Sequence, residues 1–257
     1  MKSILLCGVL GWGLSACAMT EAPKVSANAS ALTQYVWRGV PMSAKPVAQG
    51  SMTTSFALPE ADRLALTTWG SMSLTSGDGD AIFQDSDILD LQETRVIVDY
   101  HHSLDEPWLE KFHGGVIQYA YASGVGESSR ELFVGTEWDW NSMTPEVMLY
   151  WDIDERDGLY ANGSLRGGFE VDEKTPGYWK VSLGLGTSRM NRSLYGDNHT
   201  GLSDLSGEVG ATRQLNRNTT AHVFAVVSRV LANDDALDAA SIDSLNALLG
   251  GGLSWQF

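Results

Sequence analysis

The chain has 257 residues, with 32 Asp and Glu against 17 Lys and Arg, a formal net charge of −15. Phosphate binding requires a clustered positive field, so this balance excludes a nucleic-acid partner. Both cysteines, Cys7 and Cys17, precede Ala18, so the body of the protein has no disulfide, zinc–cysteine site or iron–sulfur cluster.

The first thirty residues read as an export address. Met1-Lys2-Ser3 gives a short positive start, and residues 4–14 form an apolar run of 11. That run is too short for a spanning helix, which needs about 20 apolar residues, and fits a secretory signal. Its end, Leu14-Ser15-Ala16-Cys17, resembles a bacterial lipobox, in which Cys17 receives lipid and becomes the first mature residue. Ala16-Cys17-Ala18 equally fits a small-x-small cleavage site that leaves Met19 first. With lipidation, Ala18 at the second position lacks the aspartate of inner-membrane retention, which favours the outer membrane. Residues 18–30 are small and polar and read as a flexible tether.

From Ala31 onward the pattern is two-residue alternation in segments of about ten residues, broken by turn formers. The predicted strands are 31–38, 48–58, 63–74, 91–102, 112–122, 130–141, 145–154, 158–170, 178–189, 205–214, 219–230 and 248–257. In 179–186, Trp179, Val181, Leu183 and Leu185 oppose Lys180, Ser182, Gly184 and Gly186. In 146–154, Val147, Leu149, Trp151 and Ile153 oppose Glu146, Tyr150, Asp152 and Asp154. Connections 59–62, 141–144 and 215–218 are tight, whereas 75–90, 190–204 and 231–247 are long and polar. Short turns at one end and long loops at the other fit an all-β, single antiparallel transmembrane β-barrel over 31–257, with both termini in the periplasm. Two connections break the scheme: 103–111 is long where a turn is expected, and 155–157 is short where an outer loop is expected. The alternative is a soluble periplasmic β-domain with its apolar faces inward. Charged polar faces, aromatic segment ends and the C-terminal register favour the membrane. Leu249, Gly251, Leu253, Trp255 and Phe257 alternate to a terminal phenylalanine, resembling the signal read by the barrel-assembly machinery. Outer-membrane lipid and lipopolysaccharide are the remaining expected partners.

Tyr35-Val36-Trp37-Arg38-Gly39 and Pro46-Val47-Ala48-Gln49-Gly50-Ser51 resemble the opening of the TorF-type porins of Gram-negative bacteria. Trp69-Gly70-Ser71, Glu93 with Tyr100, Glu131-Leu132-Phe133-Val134-Gly135 and Asp152-Ile153-Asp154-Glu155 with Asp157-Gly158-Leu159-Tyr160 extend the similarity over about 31–160. The resemblance implies an outer-membrane barrel with a pore and no catalytic residues. The lipobox departs from the family, most of whose members carry ordinary cleavable signals.

With the apolar faces on lipid, the expected pore-lining set is Glu93, Arg95, Asp99, Glu131, Glu137, Asp139, Glu146, Asp152, Arg166, Lys180 and Glu208, with Asp154 and Glu170 further acids. A negative lumen concentrates cations, so the expected function is a narrow porin for small cationic or neutral solutes. The alternatives are that these acids pair with bases or sit at the rims, and that the barrel is a lipid-anchored structural or binding module without an open pore. Twelve strands imply a narrow bore, which inward loops or Tyr150, Tyr160 and Arg166 could close. Arg38 is expected at the end of the first strand, on a lipid head group, a lumenal acid or rim water. Asp78, Asp80, Asp85, Asp87 and Asp90 lack calcium-loop spacing and read as a solvated loop, so no metal or other cofactor is expected. His101-His102-Ser103 places a base near a hydroxyl, but neighbours on a strand point to opposite faces and form no proton-transfer pair. No Gly-x-Ser-x-Gly elbow occurs, and His113, His199 and His222 appear isolated, so no enzymatic activity is expected.

Overall fold

Alternation places one apolar and one polar face on each segment, and a sheet built from such ribbons must hide one face from water. The computed structural model describes residues 21–76, 82–83, 87–106, 109–121, 128–240 and 242–257. Cys7, Cys17, Asp78, Asp80 and Asp85 lie outside the described residues. The strands are β1 (Lys24–Leu32), β2 (Tyr35–Trp37), β3 (Val40–Ser43), β4 (Val47–Ala57), β5 (Arg63–Ser73), β6 (Leu91–Glu106) and β7 (Leu109–Tyr121). They continue with β8 (Ser129–Glu137), β9 (Met143–Asp152), β10 (Leu159–Asp172), β11 (Thr175–Gly186), β12 (Gly201–Asn216), β13 (Thr219–Val230) and β14 (Leu245–Gln256). Helices α1 (Ser188–Tyr195) and α2 (Asp234–Ala240) lie between β11 and β12 and between β13 and β14.

Twelve strands, β1 and β4 to β14, form a closed antiparallel ring in chain order, and β1 seals it by pairing with both β4 and β14. The pair β2–β3 stands apart as its own two-stranded sheet. Closure leaves no edge strand, which is what lipid demands of a sheet, because an unpaired N–H or C=O there costs several kcal/mol. The apolar faces point outward: Val147, Leu149, Trp151, Val181, Leu183 and Leu185 are all exposed on the surface of the ring. Trp140 and Tyr100 lie near one end of this belt and Trp151 near the other, and all three are exposed, as in the aromatic girdles of membrane barrels. Among the described residues no helix is long and apolar enough to cross a membrane. The chain is an outer-membrane β-barrel by its fold.

Two expectations about the strands need correction. The barrel begins at Lys24, not Ala31, so residues 24–30 belong to β1 instead of a tether. The outward residues Ala27, Ala29 and Ala31 are too small to register as an apolar stripe, while Asn28 and Ser30 bond inside the ring to Ser254 and His222. The long turn expected at 103–111 is mostly strand, because β6 and β7 run past their neighbours with Ser103 opposite Lys111 and Glu106 opposite Leu109. Connection 153–158 between β9 and β10 is indeed short and lies at the long-loop end.

Candidate functional site

The hairpin β2–β3 turns inward and fills the long-loop half of the lumen. Its two turn residues, Arg38 and Gly39, have φ of +49° and +79°, the left-handed pair that a two-residue hairpin loop needs to match strand twist. Register follows, with Trp37 opposite Val40 and Tyr35 opposite Ser43. A Cβ on Gly39 would sit 3.0 Å from both the Asp204 Cβ and the Val230 Cγ2 atoms. Gly39→Ala is therefore expected to destabilise the protein by about 1–2 kcal/mol from the left-handed backbone alone, read as a lower thermal midpoint. Gly50→Ala is the control, since its nearest neighbour is the Asn28 carbonyl oxygen at 3.6 Å.

The hairpin tip carries a cation into a closed cage. The Arg38 guanidinium donates from Nη1 to Glu131 Oε1 at 2.7 Å and from Nη2 to Oε2 at 2.9 Å, with side-chain exposures of 6% and 0%. Two parallel charge-assisted bonds of this kind fix the planar guanidinium in position as well as in charge. The Tyr119 hydroxyl donates to the same Oε2 at 2.8 Å. Rings of Tyr160, Trp37 and Tyr150 surround the guanidinium carbon at 4.2, 4.5 and 4.9 Å, positions from which a ring face attracts a cation. Behind the tip, the Arg38 carbonyl accepts from the Tyr195 hydroxyl at 2.8 Å and the Gly39 carbonyl from Asn246 Nδ2 at 3.0 Å. Burial, reinforced by Asp204 beside it, pushes the Tyr195 hydroxyl far above its ordinary range, so it stays a donor.

Two more acid–arginine pairs complete this layer. Glu93 Oε1 accepts from Arg95 Nε at 2.6 Å and Glu93 Oε2 from the Tyr35 hydroxyl at 3.0 Å, while Arg95 also donates to that hydroxyl. Asp152 accepts from Arg156 Nη1 at 3.1 Å and from Ser129 Oγ at 2.6 Å. Trp37 lies at the centre, within 5.6 Å of the guanidinium carbons of Arg38, Arg95 and Arg156. Apolar contacts close the mouth: Tyr35, Val40 and Met42 of the hairpin share a buried cluster with Met190, Leu194 and Tyr195 of α1, Leu237 of α2, and the wall residues Val230 and Leu248. The hairpin thus touches most of the wall, yet among the described residues its strands form a ladder only with each other.

The turn-side half carries polar residues of mixed charge. Glu146 lies 3.6 Å from Lys180 and accepts from Ser164 Oγ at 3.1 Å. Glu137 lies 3.6 Å from Lys111 and 3.9 Å from Arg166, and Glu208 accepts from the Tyr178 hydroxyl at 2.6 Å. Asp99 lies 2.8 Å from His101 Nε2 and 3.6 Å from His113 Nδ1, and the two histidine rings stack 5.2 Å apart.

The predicted lining residues thus divide into layers. Glu93, Arg95, Glu131 and Asp152 surround the hairpin; Asp99, Glu137, Glu146, Arg166, Lys180 and Glu208 lie in the turn-side half. Asp139 is exposed in the turn after β8, and Glu170 is exposed near the end of β10. Asp154 sits in the loop after β9 and pairs with Arg130 at 2.7 Å, which holds its carboxyl below the ordinary range. Of the three residues expected to narrow the bore, Tyr150 and Tyr160 belong to the Arg38 cage and Arg166 to the other half. Arg38 is on a lumenal acid, one of the three placements its sequence position allowed. Sequence reasoning missed the hairpin, although Gly39 between two short apolar runs was a turn signal, and missed Arg156 altogether. His113 is not isolated, since β6–β7 pairing sets it opposite His101.

No family model matches the chain, and no curated protein does either. Solved structures are similar to it in fold. An outer-membrane channel from Pseudomonas putida F1 superposes with TM-score 0.51 at 12% identity, covering 91% of this chain and 94% of that one. The outer-membrane phospholipase A of Escherichia coli gives 0.52 at 11%, covering 93% and 92%. The KdgM porin, solved in complex with disordered oligogalacturonate, gives 0.50 at 8%, covering 91% and 99%. At these identities the likeness is one of architecture, and that architecture carries channels and an enzyme alike.

Proposed function

We propose that this chain is a narrow outer-membrane channel for small cationic or neutral solutes, gated by the β2–β3 hairpin and related to the TorF-type porins. The observation that carries this reading is that the plug makes no ladder with the wall. Side-chain bonds at its tip, apolar packing and one backbone bond outside the ring, from the Phe83 N–H to the Met42 carbonyl at 2.9 Å, retain it, so it can leave the lumen without breaking the ring. Withdrawal would remove Arg38 and leave Glu131 facing water beside Glu93 and Asp152. Turn-side Asp99, Glu137, Glu146 and Glu208 outnumber Lys111, Arg166 and Lys180 beside them, and an excess of acids in a narrow aqueous passage attracts cations. His101 and His102 face opposite sides of β6, onto Asp99 and Asp62, as adjacent strand residues must, and no catalytic role is assigned to them.

A second reading is a barrel without conductance, favoured by the buried apolar cluster that joins the hairpin to α1 and α2. Planar-bilayer recording separates the two. Replacing residues 35–43 with a short Gly-Ser linker is expected to raise conductance at least severalfold over the intact chain, with a reversal potential of cation preference. Heat-modifiable migration in detergent checks that the ring still closes. A closed ring that stays silent establishes the non-conducting barrel, and anion preference rejects the solute class.

A further inference from the structure

Below the plug, on the turn-side wall, three residues of β6 and β7 converge. Asp99 and His101 are two apart on β6 and share its inner face, and His113 is the cross-strand partner of His101. The ligand atoms of the three all lie within 4.8 Å of one another. The His113 side chain is only 10% exposed, and neither of its ring nitrogens has a hydrogen-bond partner; the same holds for Asp99 Oδ1. Orphaned buried polar atoms are rare and need a reason. The separation of Asp99 Oδ1 from His113 Nδ1, 3.6 Å, is too long for a hydrogen bond. It is close to the roughly 3.3 Å between two ligands of a tetrahedral ion with bonds of about 2.0–2.2 Å.

His101 supplies the third ligand atom. Its Nε2 lies 2.8 Å from Asp99 Oδ2 and 2.7 Å from Arg63 Nη2. A neutral or protonated nitrogen cannot satisfy both. With a hydrogen on Nε2 the contact with Arg63 sets donor against donor, and with a lone pair there the contact with Asp99 sets acceptor against acceptor. Swinging Arg63, at the exposed start of β5, into solvent ends the conflict and leaves the Nε2 lone pair beside the Asp99 carboxylate.

We propose that Asp99, His101 and His113 bind one divalent transition-metal ion of the zinc class on the inner wall of the barrel. Two imidazoles and one carboxylate suit an ion of borderline softness and leave a position for water. Glu137 and Glu146 face each other across β8 and β9 on the far side of His113 and form another possible triad with it. Their carboxylates are already held by Lys111, Arg166, Lys180 and Ser164, which favours the Asp99 side.

The test uses the full chain, folded in detergent and purified without a histidine tag, titrated with Co²⁺ as a spectroscopic stand-in and competed with Zn²⁺. One saturable equivalent with the intense visible bands of a low-coordinate site is expected. His101→Asn and His113→Gln are each expected to weaken binding at least tenfold, the loss that even indirect disturbance of a metal site produces. Arg63→Ala is expected to tighten it by removing the competing cation, a gain that no structural role for Arg63 predicts. Heat-modifiable migration identifies any variant that has not folded, and His101→Asn, at a half-buried position, keeps the test open should His113→Gln fail. Absence of saturable binding to the intact chain overturns the proposal. So does binding that survives His101→Asn but is lost in Glu137→Gln, which would move the ion to the other triad.

Discussion

Arg38→Ala is expected to destabilise the folded barrel by about 3–5 kcal/mol, because it leaves Glu131 buried without its counter-charge. The side chain of Glu131 is fully enclosed and its remaining partner is the Tyr119 hydroxyl, which cannot replace a guanidinium. Glu131→Gln inverts the fault by stranding Arg38 among three aromatic rings, so a similar loss is expected. The double variant Arg38→Met, Glu131→Leu is expected to recover most of it, since apolar residues of similar volume replace a buried ion pair at little cost. Urea unfolding followed by tryptophan fluorescence measures all three. Additive losses in the double variant would show that the two residues act separately. In bilayers Arg38→Ala is also expected to open more often than the intact chain, which ties the stability of the pair to gating.

Val181→Arg is expected to cost about 2–4 kcal/mol in lipid vesicles, the depth-dependent penalty for a cation on the lipid face of a barrel. Val181 lies mid-strand on β11 and is 47% exposed on the outer surface. Its neighbour Ser182 projects to the other face, so Ser182→Arg is expected to cost little and to alter conductance instead. Equal costs at the two positions would refute the inside–outside assignment on which the barrel reading stands.

How much of this was legible in the sequence depended on side-chain size and on register. Val181, Leu183 and Leu185 announce β11 because a lipid-facing stripe of large apolar residues alternates with small polar ones. The alanines of β1 occupy the same face without the contrast, so that strand reads as a tether. Tyr35-Val36-Trp37 reads as a continuation of the first strand, because alternation does not tell a wall strand from a hairpin folded across the bore. The acids Glu93, Glu131 and Asp152 were recognisable as inward from their alternate spacing. Their partners were not, since Arg38 reaches Glu131 across 93 residues of chain, a distance set by closure of the ring. His101 and His113 both fall inside predicted strands, 91–102 and 112–122; what was missing was their register, because the intervening 103–111 read as a loop and offered no turn from which to count the pairing.

The ring has one seam, where β1 meets β14. Until it closes, every partial sheet presents two rows of unpaired peptide groups, which hydrocarbon does not tolerate. Entry into the bilayer and sealing of that seam are therefore a single act. A chain deprived of β14 yields no smaller barrel, only a ribbon with both margins raw and no resting place among acyl chains.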